Sequence, residues 1–289
     1  MYKYAGGHWR AVSRPGPTGS FIGSAAASST SNVWLTLENL AAVDHWNGHR
    51  WRRITYRSTA QVSVSGVTTT GWRDVWVFTY DFGAKTETAR HYNGHAWTTR
   101  TLPAVIDSSG YAQVSQSSPR DIWAWAYDSA TSRYQTLHYN GSSWRVIKLP
   151  GLGISPSDAV AGQLLALSGK NVWATMYPET RTQRAVLLHW TGHAWHRIGG
   201  KLPTGVLNGP IASDGHGGLW VSELSYPHAY LGHYSGGKWT RWSVPRPKGD
   251  TLRLSALALI PGTRSLWATD NLNLGFGTTS GADILKYGR

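Results

Sequence analysis

His91-Tyr92-Asn93-Gly94-His95-Ala96-Trp97 is the stretch on which the fold turns, because the chain writes it again and again. Its relatives are His45-Trp46-Asn47-Gly48-His49-Arg50-Trp51, then HYNGSSW from His138, HWTGHAW from His189 and HYSGGKW from His233. An Asn-Gly pair between extended residues signals a tight hairpin, since both central residues of a two-residue turn need positive φ. Such a turn predicts Tyr92 opposite His95 and diagonal to Trp97 on one face of a sheet, with His91 on the other.

Upstream of each hairpin lies an apolar residue followed by Trp: Val33-Trp34, Val75-Trp76, Ile122-Trp123, Val172-Trp173 and Leu219-Trp220, with a sixth pair at Leu266-Trp267. The spacings of 42, 47, 50, 47 and 47 residues are those of a repeat architecture. Each repeat reads as four strands: an Ala/Ser/Val-rich inner strand, the Val-Trp strand, the His-aromatic strand, and an outer strand starting at the second Trp. A sheet this small cannot bury both faces alone, whereas six packed radially can. The expected fold is therefore all-β, a six-bladed β-propeller of four-stranded antiparallel blades over residues 1–289, with seven blades as the alternative. The hairpin Tyr4-Ala5-Gly6-Gly7-His8-Trp9-Arg10 precedes any inner strand, and the last repeat stops near Leu285-Lys286-Tyr287. The N-terminal strand around Trp9 is thus expected to close the final blade, although Tyr4 and Tyr287 compete for one position.

Composition agrees with strands and turns. The chain has 17 Trp, 14 Tyr and 33 Gly against two Met and four Phe, as a propeller needs and a helical bundle does not. Without Cys there are neither disulfides nor thiolate metal sites. No apolar run reaches the length of a membrane span, and the start at Met1 lacks a signal-peptide core, so the expectation is either a cytosolic protein or one whose export signal or anchor has been trimmed away. The net charge of +13 favours anionic partners such as envelope polymers. Outer-strand Arg10, Arg52, Arg53, Arg145, Arg197 and Arg241 would carry that charge, although they also guard strand edges. A nucleic acid partner would use the same residues but is not expected.

Arg120-Asp121-Ile122-Trp123-Ala124-Trp125 and His138-Tyr139-Asn140-Gly141-Ser142-Ser143-Trp144, continuing to Leu149-Pro150, resemble the Trp-rich repeat arrays of actinobacterial exported proteins, of the pattern DVWAVG … HWNGxxW. The resemblance covers essentially the whole chain and implies a propeller in a secreted or cell-surface setting. A looser similarity to bacterial propeller lectins implies a carbohydrate as the ligand class.

Residues that recur in every blade are expected to pack, and those that stand outside the pattern are free to serve function. Most Trp recur; Trp72, Trp125 and Trp242 do not, and are candidate platforms for a sugar ring. The loops after the Val-Trp strands carry Glu38, Asp81, Asp128, Glu179, Glu223 and Asp270, with Tyr80, Tyr127 and Tyr177 four residues after the Trp in three blades. A ring of carboxylates and tyrosines suits sugar hydroxyls, and a suitably spaced pair could do glycosidase chemistry; equally, such acids cap turns. Nine of 12 His recur beside the hairpins and are expected to be structural, while His196, His216 and His228 lack metal-ligand spacing. No cofactor or metal is expected. The leading function is a non-catalytic, lectin-like recognition domain; the alternatives are a glycoside hydrolase or lyase using loop carboxylates, and a protein-docking scaffold.

Overall fold

The computed structural model describes residues 1–13, 15–16, 22–37, 42–55, 62–103, 114–128, 130–178, 185–198, 210–225, 228–244, 251–260, 262–273 and 284–287. They form two compact units, Met1–Ala112 and Gln113–Arg289. The first unit opens with a hairpin of β1 (Tyr2–Ala5) and β2 (His8–Ala11). Its first blade is β3 (Ile22–Ser29), β4 (Asn32–Leu37), β5 (Ala42–Trp46) and β6 (Trp51–Thr55). Its second is β7 (Val62–Gly71), β8 (Asp74–Asp81), β9 (Thr86–Tyr92) and β10 (Trp97–Thr101). The second unit begins with the third blade, β11 (Val114–Ser118), β12 (Asp121–Asp128), β13 (Arg133–Tyr139) and β14 (Trp144–Ile147). The fourth is β15 (Ala159–Ser168), β16 (Asn171–Pro178), β17 (Val186–Trp190) and β18 (Trp195–Arg197). The fifth is β19 (Ile211–Ser213), β20 (Leu219–Ser225), β21 (His228–Ser235) and β22 (Lys238–Ser243). The sixth has three described strands, β23 (Thr251–Leu259), β24 (Leu266–Asn273) and β25 (Ile284–Tyr287).

Every blade is antiparallel and ordered as in the chain. Within each unit the first strands of successive blades lie side by side, β3 by β7, then β11 by β15, β15 by β19 and β19 by β23. This is the architecture of a six-bladed β-propeller, with six sheets each built on a Trp-bearing second strand. The N-terminal hairpin is a sheet of its own in which Tyr4 faces Trp9, the register of a third and a fourth strand. In the sixth blade Tyr287 faces Leu266, also as a third-strand residue, so Tyr4 and Tyr287 occupy the same register.

The hairpin turns differ from the two-residue form expected. Tyr92 lies directly opposite Trp97, as Trp46 lies opposite Trp51, Tyr139 opposite Trp144 and Trp190 opposite Trp195. The loop therefore holds four residues. Asn93 Oδ1 accepts from the backbone N–H of both His95 and Ala96 at 3.0 and 2.9 Å, while only Gly94 takes positive φ, at 95°. The Asn side chain replaces a backbone partner, so it does not need the left-handed conformation itself. A true two-residue turn appears where two glycines are available: Gly236 and Gly237, at φ of 57° and 79°, link Ser235 to Lys238.

The second-strand indoles form the core. Trp34, Trp76, Trp123 and Trp173 are buried, while Trp220 and Trp267 are partly covered. The outer-strand indole of one blade packs edge-on against the core indole of the blade before: Trp97 on Trp34 at 6.1 Å and Trp195 on Trp123 at 5.5 Å. Outer indoles were expected to be core as well, but of these only Trp195 is buried and Trp9 is 37% exposed, because an outer strand has protein on one side only.

Five of the six core indoles are also stacked on a cross-strand His, among them Trp34 on His45 at 4.0 Å and Trp173 on His189 at 3.9 Å, whereas Trp267 faces Lys286. An acceptor two residues before the Trp holds both rings. Asp121 Oδ1 accepts from Trp123 Nε1 at 2.9 Å and faces His138 Nε2 at 2.8 Å, with Ser117 donating to its other oxygen. Asp74 does the same for Trp76 and His91, and Asn32 for Trp34 and His45. Asn171 faces His189 at 2.9 Å. The fifth blade solves the problem differently. Gly218 stands two residues before Trp220, and Asp214 reaches in from the start of the turn to meet His233 at 2.9 Å. A Cβ on Gly218 would lie 2.5 Å from that carboxylate and 2.3 Å from the Tyr234 carbonyl oxygen, so only glycine fits.

Candidate ligand-binding site

The sequence points to the face that carries both the loops after the Trp strands and the links between blades. One cavity opens there within the second unit, about 510 Å³ in volume, a size typical of small-ligand sites. Blade three supplies Asp128, where β12 ends, and Arg133, Tyr134 and Gln135, where β13 begins. The link Lys148–Ile154 forms a second wall, and Ala159 and Met176 of blade four close it.

Local sequence explains this shape. Leu149-Pro150-Gly151-Leu152-Gly153 cannot continue a strand, and Gly153 takes φ of 67°. Leu149, Leu152 and Ile154 pack against the core that Met176, Trp125 and Val186 form between blades three and four. The floor is consequently apolar. The rim is charged, with Arg133 and Lys148 both exposed. Asp128 is committed to its own turn: it accepts from the Ala130 N–H at 3.0 Å, the Thr131 hydroxyl at 2.7 Å and the Gln135 amide at 3.5 Å.

Among the residues singled out from sequence, Asp128 lines the cavity and Tyr127 stands behind it, its ring 5.0 Å from that of Tyr134. None of the other described ones lines it. Trp125 corrects an expectation: it is no exposed platform but is buried, donating its indole N–H to the Gly162 carbonyl of blade four at 3.0 Å. Tyr80 is likewise buried, edge-on to Phe82, and Tyr177 packs in the core between blades four and five. Asp81 caps its turn through the N–H groups of Gly83 and Ala84, both at 2.9 Å. Glu223 is fully buried and lies 3.2 Å from Arg241, whose guanidinium covers the Tyr230 ring. Glu38, Glu179 and the side chain of Asp270 lie outside the described residues.

Trp72 and Trp242 are exposed. Trp72 sits in the turn between β7 and β8, at the blade end opposite the loops, with Arg73 stacked on it at 4.2 Å. Trp242 leans on Trp220 at 5.1 Å from the outer strand of blade five. Sequence reasoning missed Arg133, Tyr134, Lys148 and the link, whose only signal was a Gly/Pro-rich segment with apolar residues at 149, 152 and 154. Among the described residues no group of His and carboxylates could hold a metal ion, and no helix is long and apolar enough to cross a membrane.

The histidines beside the core indoles differ in their electrostatics. Burial, assisted by Arg52, holds His45 below the ordinary imidazole pKa, and burial with His196 does the same to His189. For Asp121, burial pushes the pKa up, but hydrogen bonds from His138, Ser117 and Trp123 outweigh it and leave the carboxyl below its ordinary value. Asp214 follows the same balance, with burial opposed by His233 and by two backbone N–H groups.

No protein-family model matches the chain, and no curated protein matches it either. Solved structures do. Virginiamycin B lyase from Staphylococcus aureus, in a complex with quinupristin, superposes with a TM-score of 0.62 at 16% identity, covering 91% of this chain and 84% of that one. YCF48 bound to D1 peptide gives a TM-score of 0.57 at 12% identity, over 92% and 83% of the two chains. The lectin SapL1 in complex with alpha methyl fucoside gives 0.54 at 13% identity, over 93% and 92%. At these identities the likeness is one of fold: this chain shares the propeller architecture of a lyase, a peptide-bound protein and a lectin.

Proposed function

We propose that this protein is an exported, non-catalytic recognition domain that binds a glycan in the cavity between its third and fourth blades. The observation that carries the reading is the cavity itself, with an apolar floor for the C–H face of a sugar ring and a polar rim for its hydroxyls. The fucoside-bound lectin among the structural neighbours supports the ligand class by analogy of fold. Asp81 and Asp128 are used by their turns and Glu223 is buried beside Arg241, which speaks against an acid/base pair among these three. Export rests on the sequence resemblance.

A glycan array carrying animal, plant and bacterial envelope saccharides tests the proposal. Binding that is lost in Gly151→Trp supports it. Gly151 lines the cavity, and a Cβ there meets nothing within 4 Å, so a bulky side chain is tolerated by the fold. Silence across the array, or binding indifferent to that change, defeats it.

A further inference from the structure

Resting on that reading, we infer that the cavity selects an acidic saccharide, a sugar carrying a carboxylate or a phosphate, over its neutral counterpart. The charge around the cavity is unequal in availability as well as in number. Arg133 and Lys148 line it, and neither makes an ion pair among the described residues. Arg133 stands directly across the ladder from Asp128, yet that carboxylate accepts from Ala130, Thr131 and Gln135. A third cation borders the link: Nη1 of Arg197 lies 2.9 Å from where a Cβ on Gly153 would be. Asp158, in the single turn of 3-10 helix that follows the link, does not line the cavity.

A neutral sugar would offer the two cations only hydroxyl oxygens as acceptors, with no charge to meet theirs. An anionic substituent supplies that charge, and charge-assisted hydrogen bonds to a carboxylate or phosphate are about twice as strong as neutral ones. The floor of Leu149, Leu152 and Ile154 adds apolar contact that a free anion could not use. The ligand is therefore a sugar with an acid group, not inorganic phosphate or a bare polyanion.

Titration calorimetry with matched pairs tests this: galacturonate against galactose oligomers, and glucose 6-phosphate against glucose, which separates the carboxylate from the phosphate source. The expected result is at least tenfold tighter binding of one acidic member over its neutral partner. Arg133→Gln/Lys148→Gln should abolish that preference, bringing the acidic member down to the affinity of its neutral partner. Equal affinity for neutral and acidic partners, both lost in Gly151→Trp, overturns the acid preference but keeps the proposed function. Acidic binding that survives Gly151→Trp and disappears with salt is adhesion to a chain of charge +13, and overturns the inference. Failure of every saccharide overturns both.

Discussion

Strand β12 begins and ends on an aspartate, and the two do different work. Asp121, at one end, gathers Trp123, His138 and Ser117 around a buried carboxylate, and its counterpart recurs in four other blades as Asp74, Asn32, Asn171 and, by a detour, Asp214. Asp128, at the other end, caps a loop and borders a cavity at the junction of blades three and four. What recurs at one end of the blade holds the fold; what is singular at the other is available to a ligand. The sharpest tests load each end separately.

The largest effect is expected from Trp123→Ala, which empties a fully buried site in the core between blades three and four. Thermal or urea unfolding should show a loss of about 3–5 kcal/mol. Next comes Asp121→Ala, which leaves the indole N–H and the His138 ring without their acceptor. A cost of about 3 kcal/mol is expected from the same measurement, with saccharide affinity unchanged at temperatures where the fold persists.

A smaller, pH-dependent effect separates blades that use Asp from those that use Asn. His45 and His189 face an amide and have lowered pKa values, so the unfolded chain binds protons more readily than the native one. Their contribution is whole at neutral pH and declines as pH falls below the unfolded value of about 6.5. Asp121 and Asp214 have lowered carboxyl pKa values, so their contribution persists down to the ordinary carboxylate range and is lost below it. Between about pH 6.5 and 4 the Asn blades should therefore weaken first. Asp121→Asn should cost less than the alanine change at pH 7 and should steepen the fall of Tm with acid; Asn32→Asp should flatten it. In the latter, Ser28 can donate to the new carboxylate as Ser117 does to Asp121.

The smallest effect on stability is expected at the cavity. Arg133→Gln and Lys148→Gln neutralise exposed side chains that make no ion pair among the described residues, so Tm should move by no more than about 0.5 kcal/mol allows.

The repeating half of the molecule was legible in the sequence because each blade restates it. Strand count, antiparallel order and the Trp core follow from spacing and alternation. The chemistry of the repeat was harder to read. Asp74 and Asn32 look like ordinary turn formers, since nothing in sequence spacing shows a turn residue meeting a His 17 or 13 positions away. Asn93 was read as a left-handed turn residue when its side chain, not its backbone, makes the turn. Trp125 stood outside the pattern and looked free, but its neighbour is Gly162, 37 residues on, across a blade boundary. The cavity was illegible for the same reason. Its walls come from a strand start, a link and the next blade, and their meeting is tertiary.

The most direct test is the position of a bound saccharide in a crystal grown with an acidic oligosaccharide selected by titration. The expected density lies over Leu152 and beside Tyr134, with the acid group facing Arg133 and Lys148. A saccharide seated instead on Trp72 or Trp242, with that cavity empty, would contradict the division of labour between the two ends of β12.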